Sequence, residues 1–439
     1  MLYRKILAQI EDYLKSPEGR VLIVDGARQV GKTYIIRKAG KSLYKNFVEI
    51  NMEEDALGGR NFADVRTKED FYLALSVVAG GKLGNKRDTL VFIDEIQRYG
   101  ELLTLLKFLN DDGRFTYIAS GSLLGVTLKL TPSVPIGSVE ILHMYPLDFK
   151  EFLIANGVGK EAIAIMRAKF ENHESLPDSV HARMMDFFRK YLLAGGMPDA
   201  VKAFVSDYNI VKMRRIQRQI KELYEIDAAR YESTGRRLKI MRMYQMIPSN
   251  LENRKKRVVA KDVEGMKGRR MTDYQDEFDY LISSGIAIEV KAVSKPSFPL
   301  VQNSGKNLLK LYMNDVGIFT GLLYDNNILP VLNDERSINL GAVYEAVVAQ
   351  ELRAHDKTLF YYDSKKQGEV DFLVDDRENM SILPIEVKSG RDYSIHSALG
   401  NLLKMREYNI RRAFVLSNEQ RVHEKDGVTY FPVYYVMFI

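Results

Sequence analysis

The chain contains no cysteine. This excludes disulfides and thiolate metal sites, and it fits a reducing compartment. No apolar run approaches the ~18 residues of a membrane span. The segment from Met1 to Leu14 is not expected to be a signal peptide either, because Glu11 and Asp12 fall within its apolar stripe. It reads as a short amphipathic helix with Leu2, Ile6, Ile10 and Leu14 on one side. The expectation is a cytoplasmic protein without a membrane partner. Histidine is scarce. His143, His173, His181, His355, His396 and His423 show no H-E-x-x-H or clustered ligand spacing, so zinc chemistry is not expected.

What is present describes a globular protein. The 439 residues are 46% hydrophobic and 28% charged, enough for about two to four domains. The net charge of +6 is unevenly spread. Between Arg236 and Arg270 there are twelve Lys and Arg against three Asp and Glu, so the remainder is slightly acidic. This segment includes Arg254-Lys255-Lys256-Arg257 and Arg269-Arg270. It is either a solvated face or a surface for the phosphate backbone of double-stranded DNA. Few aromatics interleave it, which argues against a platform for stacking single strands.

The sharpest motif is Gly26-Ala27-Arg28-Gln29-Val30-Gly31-Lys32-Thr33, which fits the phosphate-binding pattern G-x-x-x-x-G-K-[ST]. The two glycines let the backbone wrap a polyphosphate with its N–H groups pointing inward. Lys32 is expected on the β- and γ-phosphates, and Thr33 on Mg²⁺. The binding segment is taken from Gly26 to Tyr34. Context agrees, because Arg20 to Asp25 reads as a buried strand and Thr33 to Ala39 as the following helix, whose N-terminal dipole favours an anion.

About sixty residues on, Leu90-Val91-Phe92-Ile93-Asp94-Glu95 reads as an apolar strand ending in two acids. Asp94 is expected to hold Mg²⁺ through water, and Glu95 to act as general base. The next strand runs from Phe115 to Ala119, and Ser120 or Ser122 beyond it is placed to orient the water. Further elements are a strand from Asn46 to Asn51 and helices from Glu69 to Ala79 and Glu101 to Leu109. Alternation of this kind builds a parallel sheet covered on both faces, with ligands at its C-terminal edge.

These motifs, with Tyr145-Pro146-Leu147-Asp148-Phe149-Lys150-Glu151-Phe152 and Gly195-Gly196-Met197-Pro198, resemble a group of AAA+-type ATPases of bacteria and archaea. The resemblance covers nearly the whole chain. It implies an ATP-binding core, a helical lid over about 149–204, and a C-terminal region that is often nuclease-like. The chain departs from the group at Gly137-Ser138, where many relatives carry Gly-Arg. If that arginine senses the γ-phosphate, hydrolysis here is slow or uses another arginine. ATPases of such a group range from monomers to oligomeric rings, and the sequence leaves both open.

Helices over Leu238 to Pro248 and Thr272 to Ser283, then strands from Gly285 to Val290 and Leu308 to Met313, suit a winged-helix module. Such a module docks either DNA or a protein. The last hundred residues hold a second constellation: Glu345 on a helix, Asp371 on a strand, and Glu386 with Lys388 on another. Strand residues two apart share a face, so Glu386 and Lys388 are expected to point together toward Asp371. The set resembles the PD-(D/E)xK nuclease motif. It implies Mg²⁺ on Glu345, Asp371 and Glu386, with Lys388 activating water. The other reading is a decayed nuclease fold with a buried charge network.

The expected architecture is therefore α/β: a P-loop NTPase core at 1–148, a helical lid at 149–205, a winged-helix-like basic module at 206–325, and a restriction-endonuclease-like domain at 326–439. Two functions follow. One is an ATPase coupled to DNA processing; the other is a nucleotide-controlled switch that binds a protein and cuts nothing.

Overall fold

The computed structural model describes residues 2–16, 20–122, 136–231, 234–253, 256–265, 268–304, 308–335, 338, 340–390 and 396–439. It divides into two compact units. One comprises Arg4–Tyr145 with Ser283–Gly285, and the other Met1–Tyr3, Pro146–Ile282 and Ile286–Ile439.

The first unit is built on a parallel sheet of strands β1 (Val21–Asp25), β2 (Asn46–Asn51), β3 (Thr89–Asp94), β4 (Thr116–Gly121) and β5 (Val139–His143). Their order is β2-β3-β4-β1-β5. Every residue of β1, β3 and β4 is buried, as expected for strands covered on both faces. Helices Lys32–Leu43, Lys68–Ala79 and Glu101–Asp112 supply the connections. Helix Lys68–Ala79 starts in a capping box, where Thr67 and Asp70 satisfy each other's backbone N–H. The core joins Val21, Ile23, Val91, Ile93, Leu106 and Tyr117, among others. Because β4 lies between β1 and β3, it carries Ser120 alongside the ends of both.

The second unit centres on a mixed sheet ordered β12-β13-β11-β10-β9-β8-β6-β7. Its strands are β6 (Ala287–Val293), β7 (Leu309–Met313), β8 (Leu359–Ser364), β9 (Gly368–Asp376), β10 (Ser381–Val387), β11 (Ala413–Ser417), β12 (His423–Lys425) and β13 (Val428–Pro432). Strands β6 and β7 form the expected antiparallel hairpin. It is not free-standing, since β6 also pairs in parallel with β8, with Val290 opposite Leu359. The hairpin is thus the edge of the C-terminal sheet, and one sheet crosses the expected boundary between 325 and 326. A sequence pattern shows that a strand forms, but not which neighbour it pairs with.

The helices expected as a lid, Phe149–Ala155, Asp178–Ala194 and Pro198–Asp207, group with this second unit. The motifs around them act as structural knots. Asp148 and Glu151 close a capping box at the start of Phe149–Ala155. Phe149 N–H donates to Glu351 Oε1 at 2.8 Å, and Tyr191 O–H donates to Leu147 O at 2.6 Å. Gly196 N–H donates to Asp315 Oδ2 at 2.6 Å, while Gly195 has φ of +66°. A Cβ on Gly195 would lie 2.2 Å from Asp315 Oδ1, and one on Gly196 2.1 Å from Leu147 O. Only glycine fits both places.

Among the described residues, no helix is long and apolar enough to cross a membrane.

Candidate functional site

In the first unit, the loop after β1 is shaped by its dihedrals. Gly26, Gln29 and Gly31 have φ of +149°, +67° and +96°. Gly26 is needed for close approach, because a Cβ there would lie 2.2 Å from Met144 O. Met144 N–H donates to Asp25 O at 2.7 Å, joining the ends of β1 and β5. The Arg4 guanidinium pins the loop from behind, donating to Val30 O at 2.8 Å and Tyr145 O at 2.5 Å. Helix Lys32–Leu43 has Gly31 at its N-cap and no side-chain cap, so its first N–H groups suit an anion.

Lys32 is buried, with its ammonium donating to Gly26 O at 2.8 Å and Ala27 O at 2.9 Å. Burial lowers its pKa, opposed by Glu95, Asp25 and Asp94. Ala27 and Val30 are buried, Arg28 is half-buried, and Gln29 is exposed. Tyr34 lies on the outer side of the helix and is 59% exposed.

Thr33 Oγ1 donates to Asp94 Oδ2 at 2.9 Å, and Ser120 O–H donates to Asp94 Oδ1. Asp94 is therefore held at the strand tip by two hydroxyls. Burial raises its pKa, while the Ser120 and Thr33 hydrogen bonds oppose the shift. Glu95 has left-handed φ of +54°, which turns the chain sharply after β3. Its Oε2 accepts from Ser122 Oγ at 3.0 Å and from the Gln97 amide. The two serines thus divide between the acids, with Ser120 on Asp94 and Ser122 on Glu95. The sequence reading gave no role to Gln97, whose signal is its place two residues beyond Glu95. A hydroxyl and a carboxylate 2.9 Å apart beside a buried lysine suit hard Mg²⁺ and phosphate. Ser138 ends a short 3₁₀ turn, Ile136–Ser138.

The C-terminal constellation lies within the second unit. Ile385 pairs with Phe372, so Glu386 and Asp371 face each other across β10 and β9. Lys388 Nζ donates to Glu386 Oε1 at 2.8 Å, as the two-residue spacing implies. Val387 N–H donates to Asp371 Oδ2 at 2.9 Å. Burial and then Asp371 push the Glu386 carboxyl up to about 8. Burial lowers the Lys388 pKa, but Glu386 and Asp371 together raise it and the net shift is upward. Glu345 lies on the helix Gly341–Ala354, 3% exposed. Burial and the neighbouring Asp371 raise its pKa. Its Oε1 accepts from Lys256, and its Oε2 from Tyr312 O–H at 3.2 Å.

All four sequence-derived residues therefore meet, with Glu345 and Glu386 in ion pairs and Asp371 held by a backbone N–H. Among the described residues, no group of three or more His, Asp or Glu is arranged to hold a metal ion. The acid cluster does not fit a divalent cation in this state. Lys256 and Lys388 occupy two of its carboxylates, although Glu386 Oε2 is buried without a hydrogen-bond partner. Sequence reasoning placed Lys256 in a basic patch and missed this role. Of the basic run, Arg254 and Lys255 lie outside the described residues. Arg257 pairs with Asp363 on β8.

Three families match successive parts of the chain. Residues 18–153 match the AAA domain. Residues 185–327 match a domain of unknown function, DUF8612, and residues 340–436 another, DUF4143. No curated protein matches. Among solved structures, a Walker-type ATPase of Pyrococcus abyssi is 15% identical with a TM-score of 0.46, over 74% of this chain and 96% of that one. The Hsp104–ADP complex of S. cerevisiae is 12% identical at 0.30, over 81% and 43%. PCH-2 of C. elegans is 13% identical at 0.24, over 64% and 69%. Likeness this remote adds nothing to the family match. Residues 18–153, with their parallel sheet and glycine-bounded loop, match the AAA domain.

Proposed function

We propose that the chain binds ATP with Mg²⁺ at Gly26 to Tyr34, hydrolyses it, and couples the nucleotide state to DNA binding or processing by its C-terminal unit. The observation that carries the ATPase reading is the meeting of Lys32, Thr33, Asp94, Glu95 and Ser120 at one sheet edge. Lys32 exchanges the carbonyls of Gly26 and Ala27 for phosphate oxygens. Thr33 and Asp94 would hold the magnesium, which neutralises phosphate charge when bound. Ser122 and Gln97 both grip Oε2 of Glu95, so Oε1 receives the proton of the attacking water. Ser120 keeps the Asp94 carboxylate turned toward Thr33.

The test is paired. Lys32→Ala should weaken ATP binding about ten- to hundredfold by titration calorimetry, the loss of a charge-assisted contact. Glu95→Gln should retain ATP binding while turnover falls about 10²- to 10⁴-fold. An unchanged turnover in Glu95→Gln would move the general base elsewhere.

The ion-paired acid cluster favours a second reading, in which nucleotide switches a protein-binding module and nothing is cut. Incubation of supercoiled plasmid with the chain, Mn²⁺ and ATP separates the two. The first reading requires nicking that Asp371→Ala abolishes. The second requires intact plasmid.

A further inference from the structure

Five carboxylates and four cations converge on one end of the second unit's sheet. Lys256 pairs with Glu345 and Arg257 with Asp363. Lys310 pairs with Glu369 at 2.6 Å, and Lys388 with Glu386 at 2.8 Å. Asp371 is the fifth acid, held by the backbone N–H of Val387. Three of the cations come from the segment before β8, and only Lys388 from the expected nuclease motif.

Lys256 is the unusual member. Its backbone has left-handed φ of +46°, a conformation costly for a lysine. Its ammonium lies among the acids, bonded to Glu345 and attracted by Asp371 and Glu369. With Tyr312 on the other oxygen, both acceptors of Glu345 are engaged. Next in sequence, Arg257 fastens the same segment to β8. An ammonium and a divalent cation satisfy carboxylates in the same way and cannot share one place.

We propose that Lys256 is a built-in counter-ion that closes the cluster of Glu345, Asp371 and Glu386 to divalent cations, and that removing its ammonium opens a metal site there. The proposal rests on the nuclease-like reading of this cluster. Without Lys256, Glu345 is a buried carboxylate lacking its cation, beside Asp371 and the unpartnered Oε2 of Glu386. Buried unpaired charge is strongly unfavourable, and a hard cation with oxygen ligands relieves it. Anything that draws Lys256 away, such as a phosphate backbone, then exposes metal ligands where it binds.

The experiment is a Mn²⁺ titration of the nucleotide-free full chain, read by the free Mn²⁺ signal in electron paramagnetic resonance. Wild type, Lys256→Ala, Lys256→Gln and Lys256→Ala with Asp371→Asn are compared. Mn²⁺ held weakly by the phosphate loop is common to all and subtracts out. Either Lys256 variant should gain one site at least about tenfold tighter than wild type, and the Asp371→Asn change should remove it. Mn²⁺ should also raise the melting temperature of the single variants and not of wild type. Lys256→Gln keeps a hydrogen-bond donor near Glu345, which guards against loss of folding. The proposal is overturned if wild type fills an Asp371-dependent site as tightly as the variants, or if folded variants gain none. Plasmid nicking is scored separately. Gain of Mn²⁺ without nicking supports the counter-ion and ends the nuclease reading. Nicking by wild type without any gain does the reverse.

Discussion

At the scale of residues, the two units treat buried charge differently. In the first unit, buried Asp94 faces hydroxyls and Lys32 faces carbonyls, neutral partners that a charged ligand can replace. In the second unit, buried carboxylates already face ammonium groups. Asp315 is a third case. It is fully buried, accepts from Gly196 and Ile318 N–H groups at 2.6 and 2.9 Å, and caps the helix Val316–Tyr324. Burial, which its backbone hydrogen bonds only partly offset, pushes its carboxyl up to about 6 from 3.8. A raised carboxyl binds its proton more tightly when folded. Its contribution is therefore fully present below about pH 4 and lost as pH rises through about 6. The shift corresponds to on the order of 3 kcal/mol. Melts of wild type against Asp315→Asn should show the wild-type advantage shrinking across that interval. A constant difference from about pH 4 to 7 would refute the assignment.

At the scale of elements, the glycine and aromatic motifs outside the nucleotide loop hold the chain together. Gly195-Gly196 follows the helix Asp178–Ala194 and presses against Leu147 and Asp315. No side chain fits there without moving backbone, so Gly196→Ala should cost about 1–3 kcal/mol. The measurement is the urea midpoint of the second unit, with an unchanged midpoint counting against this packing. The strand, glycine loop and helix of the first unit were legible in sequence because they are consecutive, and each signal is local. Strands β1, β3 and β4 fall where their apolar runs end in glycine, acid or serine. The hairpin β6–β7 was legible as a hairpin too, yet its sheet was not. Its partner β8 lies far along the chain, and pairing of that kind leaves no local periodicity.

At the scale of the whole molecule, charge distribution matters most. The basic segment between Arg236 and Arg270 is not uniformly available. Lys256 and Arg257 are committed to Glu345 and Asp363, whereas Arg242 and Arg270 are exposed. If the segment contacts duplex DNA, Arg242→Gln with Arg270→Gln should flatten the salt dependence of binding by about 0.9 in log–log slope per lost contact. Fluorescence anisotropy over a salt series measures this. An unaltered slope would remove these two arginines from any DNA surface.

Sequence alone determined the glycine-bounded loop, the acidic strand and the charge asymmetry, because each depends on residues adjacent in the chain. It also brought Glu386 and Lys388 onto one face, since strand geometry fixes that spacing. Only the tertiary structure decided what those acids meet. Lys256 reaches Glu345 from 89 residues away, and such a pairing depends on how separate elements pack. The same packing joined the hairpin to the C-terminal sheet and locked Gly196 onto Asp315, through close contacts that no pattern of neighbouring residues records.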